Sequence, residues 1–75
     1  MKTQYRFIHF IQHGEHNGQP MWECRNNKDS GIKLGIVFWY PTWGRYCFTQ
    51  DGPNVVFSAK YLTDIAHFMG QLPKP

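Results

Sequence analysis

The chain is 75 residues long, which allows one domain and one hydrophobic core but leaves little surplus stability. Charged residues make up 17% and the formal net charge is +3, compatible with an anionic partner but far below the charge density of a dedicated nucleic-acid binder. Two cysteines make no disulfide framework, no apolar h-region follows Met1, and no apolar run approaches the roughly 20 residues that span a bilayer; the expectation is a cytoplasmic protein with reduced thiols and no membrane partner.

The first segment, Tyr5-Arg6-Phe7-Ile8-His9-Phe10-Ile11, is aromatic and branched and reads as a strand apolar on both faces. His13 to Pro20 holds two glycines, an asparagine and a proline and reads as a turn or loop. Met21 to Asn26 alternates, with Trp22 and Cys24 on one face and Glu23 and Arg25 on the other. Asn27 to Gly31 is a hairpin loop in which Gly31 can take a positive φ. Ile32 to Tyr40 is the longest strand. Strict alternation puts Ile32, Leu34, Ile36, Phe38 and Tyr40 on one face and Lys33, Gly35, Val37 and Trp39 on the other, and the glycine inside it signals a bulge or a close neighbour. Pro41-Thr42-Trp43-Gly44 turns the chain, and Arg45 to Thr49 resumes it with Tyr46 and Phe48 on a common face. Asp51 to Asn54 is a further turn, and Val55-Val56-Phe57 reads as a short last strand.

The period then changes. Ser58 is a good N-cap, and Tyr61, Leu62, Ile65, Ala66, Phe68, Met69 and Leu72 form a wide apolar stripe at helical spacing. Lys60, Thr63, Asp64, His67 and Gln71 fill the opposite side, Gly70 weakens the last turn, and Pro73 ends the helix. The order β-β-β-β-β-α over a single domain, residues 1–75, predicts an α+β fold: an antiparallel sheet of four to five strands covered on one face by the C-terminal helix. The other face is expected to offer Val37 and Trp39, with Phe7 or Ile8 from the first strand. Aromatic residues are 17% of the chain, more than one helix can cover, and an apolar patch of that kind in a small protein points to self-association as a dimer or higher homo-oligomer.

Catalytic chemistry is poorly supplied. The carboxylates Glu15, Glu23, Asp29, Asp51 and Asp64 are scattered, two of them in turns where Asp has local hydrogen bonds to make. There is no phosphate-binding glycine loop and no nucleophile elbow. Cys24 reads as a small core residue and Cys47 as the more accessible thiol. His13 and His16, with His9 and Cys24 nearby, lack the remaining ligands of a zinc site. The chain is therefore expected to be non-enzymatic, without metal or cofactor.

The densest feature is Trp39-Tyr40-Pro41-Thr42-Trp43-Gly44-Arg45-Tyr46, four aromatics and an arginine around one turn. Such a set can stack on a base and pair with a phosphate; it also suits a protein–protein hot spot or a packed corner that pins a hairpin. Arg25-Asn26-Asn27-Lys28 is a second polar cluster, suited to phosphates and base edges or to turn formation. The expected ligand-binding residues are Arg25, Asn26, Trp39, Tyr40, Trp43, Arg45 and Tyr46.

The pattern Leu34-Gly35-x-x-x-Trp39-Tyr40-Pro41-x-Trp43-x-x-Tyr46-x-Phe48, followed by Val56-Phe57-Ser58-Ala59 and Leu62-x-Asp64-Ile65-x-x-Phe68, resembles a group of small uncharacterised proteins encoded in bacteriophages and prophages. The resemblance spans roughly residues 22 to 72; in that group an arginine often follows the second tryptophan directly, whereas here Gly44 intervenes before Arg45. It implies an accessory protein with a counter-defence role, and with the Trp39–Tyr46 cluster the expectation is one that binds or sequesters a nucleotide-like or other anionic signalling ligand as a homo-oligomer. A direct inhibitor of a host defence protein and a single-stranded nucleic-acid binder are the alternatives.

Overall fold

In a computed structural model that describes residues 1–29 and 32–75, four strands and one helix follow in the order β1 (Ile8–His16), β2 (Gln19–Asn26), β3 (Lys33–Tyr40), β4 (Arg45–Gln50) and α1 (Ala59–Gln71). The strands form one antiparallel meander, β1-β2-β3-β4, and α1 packs on one face. The α+β class and C-terminal helix are as expected. The fifth strand is not present: Val55 to Phe57 belongs to no ladder. Its alternation is real, because Val55 and Phe57 pack against the core while Val56 points to solvent. An alternating segment that only crosses from sheet to helix carries the same pattern as a strand, with no neighbour to pair with.

The loop expected from His13 to Pro20 is instead the end of a hairpin. β1 continues to His16, and the chain reverses at Asn17 and Gly18, whose φ values of 54° and 78° are those of a type I′ turn. Pro20 sits inside β2 without breaking it, since the β2–β3 ladder reaches only Trp22↔Val37 and asks no N–H of Pro20. The first strand begins later than expected, at Ile8. The positive φ anticipated at Gly31 lies outside the described residues.

Which face meets the helix depends on a bulge. Arg25 pairs with Lys33 but Cys24 pairs with Gly35, so Leu34 is an extra residue in β3 and the alternation changes phase there. Leu34 and Val37 consequently share the helix side, and Ile36, Phe38 and Tyr40 lie on the other. This corrects the expected assignment: Val37 and Ile8 are fully buried, and Trp39 lies on the helix side in edge contact with Tyr46 (5.1 Å between centroids). Gly35 satisfies both readings of a strand glycine, since a Cβ there would stand 2.4 Å from the Phe48 ring and from the Thr49 carbonyl oxygen.

The core joins Tyr5, Ile8, Phe10, Cys24, Leu34, Val37, Ile65 and Phe68. Phe68 is its centre, stacked on Phe10 at 3.9 Å and met edge-on by Trp22 at 5.2 Å. Full burial of Ile65-sized and Phe68-sized side chains stabilises the helix docking by about 1.5–3 kcal/mol each. Ser58 caps α1 by accepting the Tyr61 N–H at 3.2 Å, and Leu72 closes it by donating its N–H to Met69 O.

The stripe on α1 is rotated from the expected one. Leu62 and Ala66 are exposed, whereas Asp64, assigned to the polar side, is buried. The cause is the N-terminal segment, which packs along the helix flank. Tyr5 Oη meets His67 Nδ1 at 2.7 Å, and Lys2 and Gln71 exchange two hydrogen bonds of 2.8 Å. Asp64 keeps one oxygen on Lys60 Nζ at 3.2 Å, and its Oδ2 has no hydrogen-bond partner among the described residues. Burial, with the nearby Asp64 charge, pushes the Tyr5 hydroxyl above its ordinary pKa.

Candidate functional site

The helix-free face is built from the odd positions of β1 (up to its bulge), β2 and β4 and the even positions of β3 beyond Leu34. Ile11, Glu23, Ile36 and Thr49 line up across the four strands in one row. Glu23 is buried in that row even without a helix above it. Arg25 Nε and Nη2 both donate to its Oε1, at 2.9 and 2.6 Å, and His13 Nε2 stands 3.8 Å from Oε2. These hydrogen bonds hold the Glu23 carboxyl below the usual carboxylate range, against the opposing effect of burial. Arg25, expected to bind a ligand, is thus engaged within the sheet.

A second row runs along β3 and its turn. His16 meets Phe38 edge-on at 5.4 Å, Phe38 meets Tyr40 at 6.1 Å, and Tyr40 meets Trp43 at 5.1 Å. The turn that carries Trp43 is held by Trp43 N–H donating to Tyr40 O and Gly44 N–H donating to Pro41 O, with Gly44 at φ 60°. Gly44 is therefore a conformational requirement of the loop that presents Trp43, which is 67% exposed. Arg45 follows, paired opposite Tyr40 and exposed. Among the described residues no carboxylate pairs with its guanidinium. Trp43 and Arg45 line an open hollow of about 280 Å³, and Phe38, Tyr40, Trp43 and Cys47 stand in the lining of an adjoining one of about 230 Å³.

The seven residues singled out in the sequence therefore divide. Tyr40, Trp43 and Arg45 come together on the helix-free face. Trp39 and Tyr46 are on the other side, where they line a hollow of about 290 Å³ against the end of α1 that Arg45 also borders, and Tyr46 Oη donates to Pro73 O at 3.1 Å. Arg25 and Asn26 lie at the far end of the β3 register, beside Lys33 rather than Tyr40. Asn26 is a structural residue there: its Oδ1 accepts the Lys28 N–H at 2.9 Å and its Nδ2 donates to Tyr61 Oη at 3.1 Å.

Two features were missed in the sequence. Ile36 and Phe38 belong to the accessible face, which only the bulge reveals. A hollow of about 430 Å³ also lies between Asn26, Ile32, Leu34, Tyr61 and the segment from Asn54 to Ser58. None of its described lining residues is charged. The histidines do not converge: His9 Nδ1 pairs with Asn27 Oδ1 at 2.6 Å while His13 and His16 meet Glu23 and Phe38. Among the described residues no three His, Cys, Asp or Glu side chains are grouped to hold a metal. Burial pushes the Cys24 thiol up to about 12, which leaves it un-ionised at neutral pH. Among the described residues no helix is long and apolar enough to cross a membrane. Comparison with protein-family models, with characterised proteins and with solved structures finds no match to this chain.

Proposed function

We propose that the protein is a non-enzymatic binding module whose β3–β4 hairpin tip takes an anionic ligand with a planar ring, a nucleotide-like molecule being the best fit. The observation that carries this reading is the exposed Trp43 ring, edge-on to Tyr40 and next to an Arg45 guanidinium that meets no carboxylate among the described residues. Aromatic stacking supplies about 1–3 kcal/mol per base. The guanidinium supplies a forked set of donors matched to phosphate.

The hollows at the tip, about 230 and 280 Å³, are smaller than the roughly 300–1,000 Å³ of pockets that enclose a small molecule. One copy can therefore stack one ring and pair one phosphate without engulfing the ligand. Sequestration in that form suits a homo-oligomer, and on the phage resemblance it would serve to withdraw a host signalling nucleotide.

Thermal shift with cyclic dinucleotides and ADP-ribose as probes tests the proposal. A ligand at 100 times its Kd should add about 2.7 kcal/mol to the stability of the native state, and Trp43→Ala and Arg45→Ala should each abolish the shift. No shift with any probe at millimolar concentration contradicts the nucleotide reading, and a stoichiometric protein captured from host lysate through Trp43 would replace it with direct inhibition.

A further inference from the structure

The two outer edges of the sheet are treated differently. On β1 the outward backbone groups are in use: Ile8 O accepts from Tyr5 N–H and Phe10 N–H donates to Thr3 O, both at 2.9 Å, and Gln4 lies opposite His9. Beyond that a bulge interrupts the strand between Gln12 and Glu15. Such devices prevent edge-to-edge pairing. β4 has none of them. Its ladder with β3 runs without a register shift from Gln50 to Arg45, and it contains neither proline nor lysine.

The backbone direction of β4 follows from one bond. Asp51 N–H donates to Leu34 O at 3.0 Å while Gly35 pairs with Gln50. In an antiparallel ladder this makes Arg45, Cys47 and Thr49 the residues that exchange bonds with β3, and it turns the N–H and C=O of Tyr46, Phe48 and Gln50 outward. No described residue bonds to these outward backbone groups.

We propose that this edge pairs antiparallel with β4 of a second copy, about a two-fold axis at Phe48, to give one continuous sheet. In that register Phe48 faces its own counterpart and Tyr46 faces Gln50 of the second copy, so every outward donor and acceptor finds a partner. The same register sets Arg45 opposite Asp51 of the second copy, once at each end. Both side chains are exposed, and Asp51 already reaches Lys33 at 3.5 Å on the helix-free face that Arg45 shares. Sliding by one pairing step sets Arg45 against Thr49 or Pro53 and loses the charge match. The strand is thus self-complementary, cation at its start and anion just past its end, which favours a second copy over an unrelated strand.

The dimer also deepens the binding reading, on which this clause rests: the 51–54 turn of the second copy would flank the Trp43 tip. A carboxylate would hold part of the Arg45 fork and leave other donors for a ligand.

Sedimentation equilibrium on the full chain is expected to show a concentration-dependent doubling of mass. Arg45→Asp and Asp51→Arg should each weaken the dimer about tenfold, since like charges then face each other twice, and the double variant should restore it. Circular dichroism confirms that each variant folds. In hydrogen exchange the Tyr46, Phe48 and Gln50 amides should become protected as the dimer fills. A wild type that stays monomeric at millimolar concentration overturns the proposal, as does fast exchange of those amides in a dimer or a double variant no tighter than the singles. Trp43→Ala should dimerise normally while losing the nucleotide probes, so the interface and the ligand site fail separately.

Discussion

On the helix side of the sheet, Ile8, Phe10, Cys24 and Val37 are closed over by Ile65 and Phe68. On the other side, the same strands present Ile11, Ile36, Phe38 and Tyr40 around the ion pair of buried Glu23 with half-buried Arg25, and no described helix packs over them. The first face is buried and held by packed and stacked side chains. The second is half-apolar and half-charged and ends in an exposed tryptophan and an exposed arginine. On the proposed reading, stability and recognition fall on opposite sides of a single layer in a chain too short for two layers of core.

The difference should be largest in side-chain truncation. Phe68→Ala is expected to cost about 3–5 kcal/mol in chemical denaturation, whereas half-buried Phe38→Ala costs no more than about 1.5 kcal/mol. Comparable losses would mean that the helix-free face is also core. Gly35→Ala comes next, at about 1–3 kcal/mol, because the Thr49 carbonyl 2.4 Å from the new Cβ is backbone and cannot swing away.

Glu23→Gln should cost about 1 kcal/mol through its charged hydrogen bonds to Arg25. Its lowered pKa predicts the sign of the pH effect: the contribution is present above the ordinary carboxylate pKa and is lost as pH falls through the lowered value in the folded chain. Urea midpoints of wild type and Glu23→Gln should therefore converge on acidification; a constant gap would locate the effect elsewhere. The smallest contrast is chemical. A thiol reagent at neutral pH should label Cys47, on the helix-free side, and leave Cys24 unmodified until the chain unfolds.

Much of this was legible in the residues. The helix, its Ser58 cap and its Pro73 stop follow from local chemistry, and the 41–44 turn follows from its proline and glycine. What was not legible is long-range. The bulge at Leu34 arises from pairing with β2 and reverses every facing downstream of it, so Val37 and Trp39 exchanged places with Ile36 and Phe38. Asp64 was assigned to solvent because the N-terminal segment that covers it lies far away in the chain. The Asn17-Gly18 turn, by contrast, carries a strong local signal that the surrounding polar residues masked. For the site, the cluster from Trp39 to Tyr46 was visible as a composition, but neighbours in sequence alternate between faces, so Tyr40, Trp43 and Arg45 share one and Trp39 and Tyr46 the other.

The central claim is that the accessible hairpin tip, and not the helix side, meets the ligand. Heteronuclear NMR of the full chain titrated with a cyclic dinucleotide tests it directly. The account predicts saturable shifts at the Trp43 indole N–H, the Arg45 guanidinium and the Tyr40 amide, with the Trp22 and Trp39 indoles unmoved. Shifts confined to Trp39 and the end of α1, or none at millimolar dinucleotide, would contradict it.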